Sequence, residues 1–198
     1  VYLITLSNGT IISIFAKNLF AMNLKVENNN LGIITSKELT NYLLSRYKSI
    51  EHLKLQKLVY YVEAYHLAYF EKSLINEKFQ AWLHGPVSRK LYDLIKPTGA
   101  NVYGSLSLTG SEEIQKGYIQ SFEEKLSVDQ LALINDILSE FSSRSAYDLE
   151  CLTHEELPWI EARRGYGPAD RCEVEISTET MIKFYKEKLY GKRENSVE

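Results

Sequence analysis

Cysteine is scarce in this chain of 198 residues, which has only Cys151 and Cys172. Two thiols without CxxC spacing form neither a disulfide framework nor a zinc site, so a reduced, cytoplasmic protein is expected. Four prolines and ten glycines exclude a collagenous or low-complexity chain. No run of eighteen apolar residues occurs, which removes a transmembrane helix from the expectation. A basic excess is missing as well: 23 Lys and Arg face 26 Asp and Glu, for a net charge of −3. A chain dedicated to coating nucleic acid or anionic lipid would carry the opposite sign, although a local basic patch stays compatible with this balance. The apolar first 22 residues lack the basic start of a signal peptide, and Ser7-Asn8-Gly9-Thr10 interrupts them.

The chemistry-bearing motifs are equally sparse. No P-loop or dinucleotide fingerprint is found, and Gly165-x-Gly167 alone specifies nothing. The histidines at 52, 66, 84 and 154 share no metal-ligand spacing, and no serine or cysteine sits in a nucleophile elbow. No metal, cofactor or catalytic set is therefore predicted. His154-Glu155-Glu156 reads either as an acid–base or metal site or as an acidic helix start.

What is present is a chain with 44% hydrophobic and 25% charged residues, the balance of a soluble domain with its own core. Tyr2–Leu6 and Thr10–Phe15 read as strands of a hairpin turning at Asn8-Gly9, followed by a polar linker at 27–30. Met22, just before that linker, is also placed to start a shorter product. Thr35 and Glu38 have capping-box spacing ahead of a helix carrying Leu39, Tyr42, Leu43 and Tyr47. The next helix, 52–70, is apolar nearly all round, which places it at the centre of the domain. Residues 79–84 alternate as a short extended segment, and Gly85-Pro86 is expected to open a helix that Pro97 closes. Residues 98–120 hold four of the ten glycines and read as a loop or small hairpin. Ser127 with Gln130 starts a helix with stripe Leu131, Ile134, Leu138 and Phe141; Ser145 and Thr153 are expected to cap two short helices. A last helix spans about 178–190. The expected fold is mainly α, one compact helical domain around a central buried helix, with minor β structure.

Fourteen tyrosines and two tryptophans serve equally as core material or as interface anchors. Helices 36–47 and 52–70 read as two packed core helices or as a helix-turn-helix.

The order of short motifs is distinctive. Leu53-Lys54-Leu55-Gln56-Lys57-Leu58-Val59-Tyr60-Tyr61 opens a helix ending in Ala64-Tyr65-His66. Ala81-Trp82-Leu83-His84-Gly85-Pro86-Val87 and Leu91-Tyr92 follow, then Ser145-Ala146-Tyr147-Asp148-Leu149, Leu152-Thr153-His154 and Pro158-Trp159-x-x-Ala162-Arg163. This combination is similar to the Panacea domain, also called the SocA-like or phage-associated GepA-like domain, over about residues 31–190. His84 stands where the family more often has Tyr, and residues 1–30 precede the usual family start.

The resemblance implies a non-enzymatic antitoxin, encoded beside a toxin gene on a prophage or other mobile element, that neutralises the toxin by protein–protein binding. It divides the chain into an extension at 1–30, an antitoxin domain at 31–190 and a charged tail at 191–198. Alternatives are a DNA-binding regulator, a protease adaptor, or a hydrolase using His154 and a nearby carboxylate. The candidate partner-binding residues it brings are Lys54, Gln56, Lys57, Tyr60, Tyr61, Trp82, His84, Gly85, Pro86, Thr153, His154, Pro158, Trp159 and Arg163. Thr153 is expected to cap a helix with His154 at its positive end, and Pro158 to start a helix presenting Trp159 and Arg163 on one face.

Overall fold

The computed structural model describes residues 34–191. The expected N-terminal hairpin, its linker, the start at Met22 and nearly all of the charged tail lie outside the described residues. Among those described, eight α-helices and two small antiparallel sheets follow one another. The order is α1 (Ser36–Tyr47), β1 (Ile50–Glu51), α2 (His52–Phe70), β2 (Phe79–Trp82), β3 (Gly85–Ser88), α3 (Arg89–Ile95) and a 3₁₀ turn (Lys96–Thr98). Then come β4 (Ser105–Leu106), α4 (Glu112–Glu123), α5 (Val128–Phe141), α6 (Ala146–His154), α7 (Leu157–Ala162) and α8 (Thr178–Tyr190). The expected mainly helical fold is present.

Helix α2 is its axis. Sixteen of its nineteen residues are buried, and α1, α5, α6, α8 and β3 all pack on it. An apolar circumference can be satisfied only by neighbours on every side. The tyrosines do much of that packing: Tyr61 stacks on Phe141 of α5 at 4.2 Å, and Tyr65 lies 4.9 Å from Tyr185 of α8. Tyr42 of α1 stacks on Phe122 of α4 at 4.1 Å. Each such pair adds about 0.5–1.5 kcal/mol beyond its buried area. The tyrosine excess divides between both readings, because Tyr103 and Tyr147 remain 63% and 72% exposed.

Helix starts were well marked. Thr35 with Glu38, Ser127 with Gln130 and Ser145 with Asp148 form complete capping boxes. Three expectations change. Gly85-Pro86 does not open a helix; it forms β3, paired with β2 so that Trp82 faces Gly85 and Ala81 faces Pro86. Proline fits the edge of a two-stranded sheet as well as a first helical turn, and the helix start passes to Ser88, whose Oγ accepts from Leu91 N. The opposite edge of β2 is covered by residues 174–176, with Ala81 N donating to Val174 O and Ile176 N to Phe79 O. Second, the glycine-rich stretch 98–120 contains α4, held to the core through Phe122. Its strand β4 pairs with distant β1 rather than closing a hairpin of its own. Third, Thr153 caps nothing: it lies inside α6, its hydroxyl donating back to the Glu150 carbonyl at 2.8 Å.

Candidate functional site

The family-type motifs converge where the β2–β3 hairpin meets α2, α6 and α7. Gly85 holds a φ of +91°, where side chains are strained. A Cβ there would also come within 2.6 Å of Thr153 Oγ1 and 2.8 Å of Lys57 Cε and Nζ. Glycine is therefore required twice over. The space so left is occupied by Lys57 of α2, fully buried, whose Nζ donates to the Pro86 carbonyl at 3.1 Å. Burial lowers its pKa to about 7, and the nearby Glu150 charge opposes that shift.

On the outer side the pieces are half-exposed. His84, at the hairpin tip, donates from Nδ1 to Glu150 Oε1 of α6 at 2.8 Å and meets the ring of Tyr103 edge-on at 6.3 Å. His154 stacks on Trp159 at 4.0 Å. Its Nε2 is enclosed and has no hydrogen-bond partner among the described residues. Burial first, with Lys57, Arg163 and His84 adding to it, lowers the His154 pKa against the pull of Glu150, so the ring is neutral. The expected cause was a helix N-terminus, and that is corrected: His154 ends α6 and sits at its negative pole. Desolvation, not the dipole, keeps it neutral.

Pro158 occupies the first turn of α7 as expected. Trp159 and Arg163 do share a face, the guanidinium lying 5.1 Å from the ring centroid. Trp159 Nε1 donates to the Trp82 carbonyl at 2.9 Å. Arg163 is buried and donates to the carbonyls of Ala81, Gly167 and Asp170, tying β2 to the 167–170 loop. Trp82 donates from Nε1 to Gln80 Oε1 and sets its ring edge-on to Tyr92 at 4.8 Å.

The remaining candidates are not part of that outer face. Gln56 is buried and accepts from Ser88 N at 3.0 Å. Tyr60 and Tyr61 are enclosed in the core, where Glu156 accepts from Tyr61 at 3.3 Å, Tyr185 at 2.5 Å and Lys188 at 2.6 Å. Burial raises the Glu156 pKa in spite of Lys188. Lys54 is half-exposed in the first turn of α2. Of the fourteen candidates, only Lys54, Trp82, His84, His154 and Trp159 reach solvent; the others are buried. Sequence reasoning missed Glu150 as the partner of His84. Glu150 stands one turn before His154 on the same helix, so spacing points it to His154 and no local signal points to His84.

The family model described as antitoxin SocA-like, Panacea domain, matches residues 55–160, more than half of the chain. No curated protein and no solved structure matches the chain.

Proposed function

The chain belongs to the SocA-like Panacea antitoxin domain family, and from that premise we propose that it neutralises a toxin protein by binding it directly, without a reaction of its own. The family match carries this reading. The half-exposed group of Trp82, His84, His154 and Trp159 supports it, flanked by the exposed Tyr103 and Tyr147. Tryptophan and tyrosine supply large contact area at little entropic cost and dominate binding hot spots. The buried candidates Gln56, Lys57, Tyr60, Tyr61, Gly85, Pro86, Thr153, Pro158 and Arg163 then act as the scaffold that holds this face. The domain assignment 31–190, with a flanking extension and tail, belongs to the same proposal, as do a cytoplasmic location for this chain and a toxin encoded next to it. No helix of the described residues is long and apolar enough to cross a membrane.

The competing readings find less support. A helix-turn-helix would need α2 to enter a groove, and α2 is enclosed by its neighbours. A hydrolase built on His154 lacks its dyad, since the histidine that meets a carboxylate is His84. No hydroxyl or thiol hydrogen-bonds to the imidazole or the carboxylate of that pair among the described residues; the Thr153 hydroxyl goes to the Glu150 backbone carbonyl instead. A protease adaptor would use the same binding step and add a second partner.

Co-expression tests the proposal. The chain is expected to restore growth to cells expressing the small toxic reading frame beside its gene, and to co-purify with that product. Growth that is not restored, with no complex recovered, refutes it.

A further inference from the structure

Resting on the antitoxin reading, we propose that the groove between α3, the β2–β3 tip and the 169–172 segment receives an acidic stretch of the toxin bearing an aromatic or aliphatic side chain. The groove has a volume of about 430 Å³, within the range of pockets that enclose small groups. Its apolar lining is the half-buried Trp82 and Tyr92 with the exposed Leu83. Its polar lining is Arg89, Lys96 and Arg171, all exposed, and no carboxylate lines it. Three cations line the groove; Asp93 and Glu173 at its rim pair with two of them, and Lys96 is left as a positive charge without a counter-ion among the described residues. Complementary potentials of this kind steer encounter and select partners.

The cations have capacity to spare. Arg89 commits its Nε to Asp93 at 2.9 Å, and Arg171 pairs with Glu173. Lys96 has no acceptor among the described residues. The partly neutralised arginines argue for a peptide with a few carboxylates over a phosphodiester backbone, which would need denser positive charge. The apolar lining is rigid before any partner arrives. Trp82 is fixed by Gln80 and its carbonyl by Trp159. Arg163 fixes the 167–170 loop to β2. A preformed groove avoids much of the ordering cost of binding. One of its cations, Arg171, lies beyond the family-matched residues, while Arg89 and Lys96 lie within them.

The test uses the full chain and a short fluorescein-labelled peptide in which glutamates flank one phenylalanine. Anisotropy is expected to show binding that weakens with salt. It should fall at least about tenfold in Lys96→Glu/Arg171→Glu, since each reversal turns an attraction into a repulsion. Both residues are exposed, so the variant should melt with the parent. Equal affinity for the same peptide with lysines in place of glutamates, an unresponsive double variant, or tighter binding of single-stranded DNA each overturns the proposal. Growth rescue separates the two levels. If the parent protects cells from the neighbouring toxin and the double variant protects equally, the groove assignment falls and the antitoxin reading stands. If the parent itself fails to protect, the antitoxin reading falls, and the peptide titration alone decides whether the groove binds acidic peptides.

Discussion

The two ends of α2 satisfy their buried polar groups unequally: among the described residues, Glu63 Oε1 stands without a partner at one, and His52 Nδ1, Gln56 Nε2 and His154 Nε2 at the other. Toward the middle and C-terminal half, Glu156 receives Tyr61, Tyr185 and Lys188, and Glu63 accepts the backbone N–H groups of Leu74 and Ile75 on Oε2, leaving only its Oε1 unpartnered. His66 is satisfied on both nitrogens: Nδ1 donates to the Lys72 carbonyl, so Nε2 accepts from Gln130. Toward the N-terminal half, Lys57 has one hydrogen bond and His154 Nε2 has none. A satisfied network fixes a unique core, whereas an unsatisfied buried group costs about 1–3 kcal/mol that must be recovered elsewhere. The less satisfied end is also the one that carries the half-exposed aromatic face, the face proposed to meet a partner, and departures from local rules are expected at such sites.

Three substitutions probe this contrast. The largest effect is expected from Gly85→Ala, which combines a strained φ with contacts below 3 Å to Thr153 and Lys57. About 4 kcal/mol should be lost in urea unfolding. Glu156→Ala comes next: it strands two tyrosine hydroxyls and a lysine, and about 3 kcal/mol should go. A loss under about 1 kcal/mol would mean that the network at this end is not as tight as its geometry. Lys57→Met should do least, within about 1 kcal/mol of the parent at pH 7, because an apolar side chain of similar length removes a poorly compensated amine.

Its signature lies in the pH dependence. Lys57 has a folded pKa near 7, below the ordinary lysine value of 10.5. Between those values the unfolded chain holds a proton that the folded chain has released, so stability rises with pH, by up to ~1.4 kcal/mol per unit. Urea titrations from pH 7 to about pH 9 should show that rise in the parent and a flatter curve in Lys57→Met. Parallel curves would mean that Lys57 keeps its proton in the folded chain.

Much of the frame was legible in the sequence, for local reasons. Thr35, Ser127 and Ser145 announce their helices with side-chain caps, and the apolar girth of 52–70 could only be central. The failures were also local signals, overridden by distant contacts. Gly85-Pro86 has the composition of a helix start, but its conformation is set by Lys57 and Thr153, which arrive from α2 and α6. Helix α4 was hidden by Gly117 and by an exposed sequence in which only Phe122 is buried, and its anchor is Tyr42 some eighty residues earlier. The site was legible as a set of motifs but not as a geometry. Spacing paired Trp159 with Arg163 correctly, yet it could not show that Arg163 turns inward to three carbonyls. Nor could it show that His84, not His154, meets the carboxylate.

On the proposed function, the motifs divide into a buried frame and a half-exposed face that meets the toxin. Growth rescue by His84→Ala/Tyr147→Ala, read beside its thermal melt, tests that division most directly. Both side chains lie on the outer side, and His84 contributes only a partly exposed hydrogen bond to Glu150. The variant is expected to melt with the parent and no longer to protect cells that the parent protects. A variant that protects as well as the parent, or that loses protection only by losing its fold, contradicts that division.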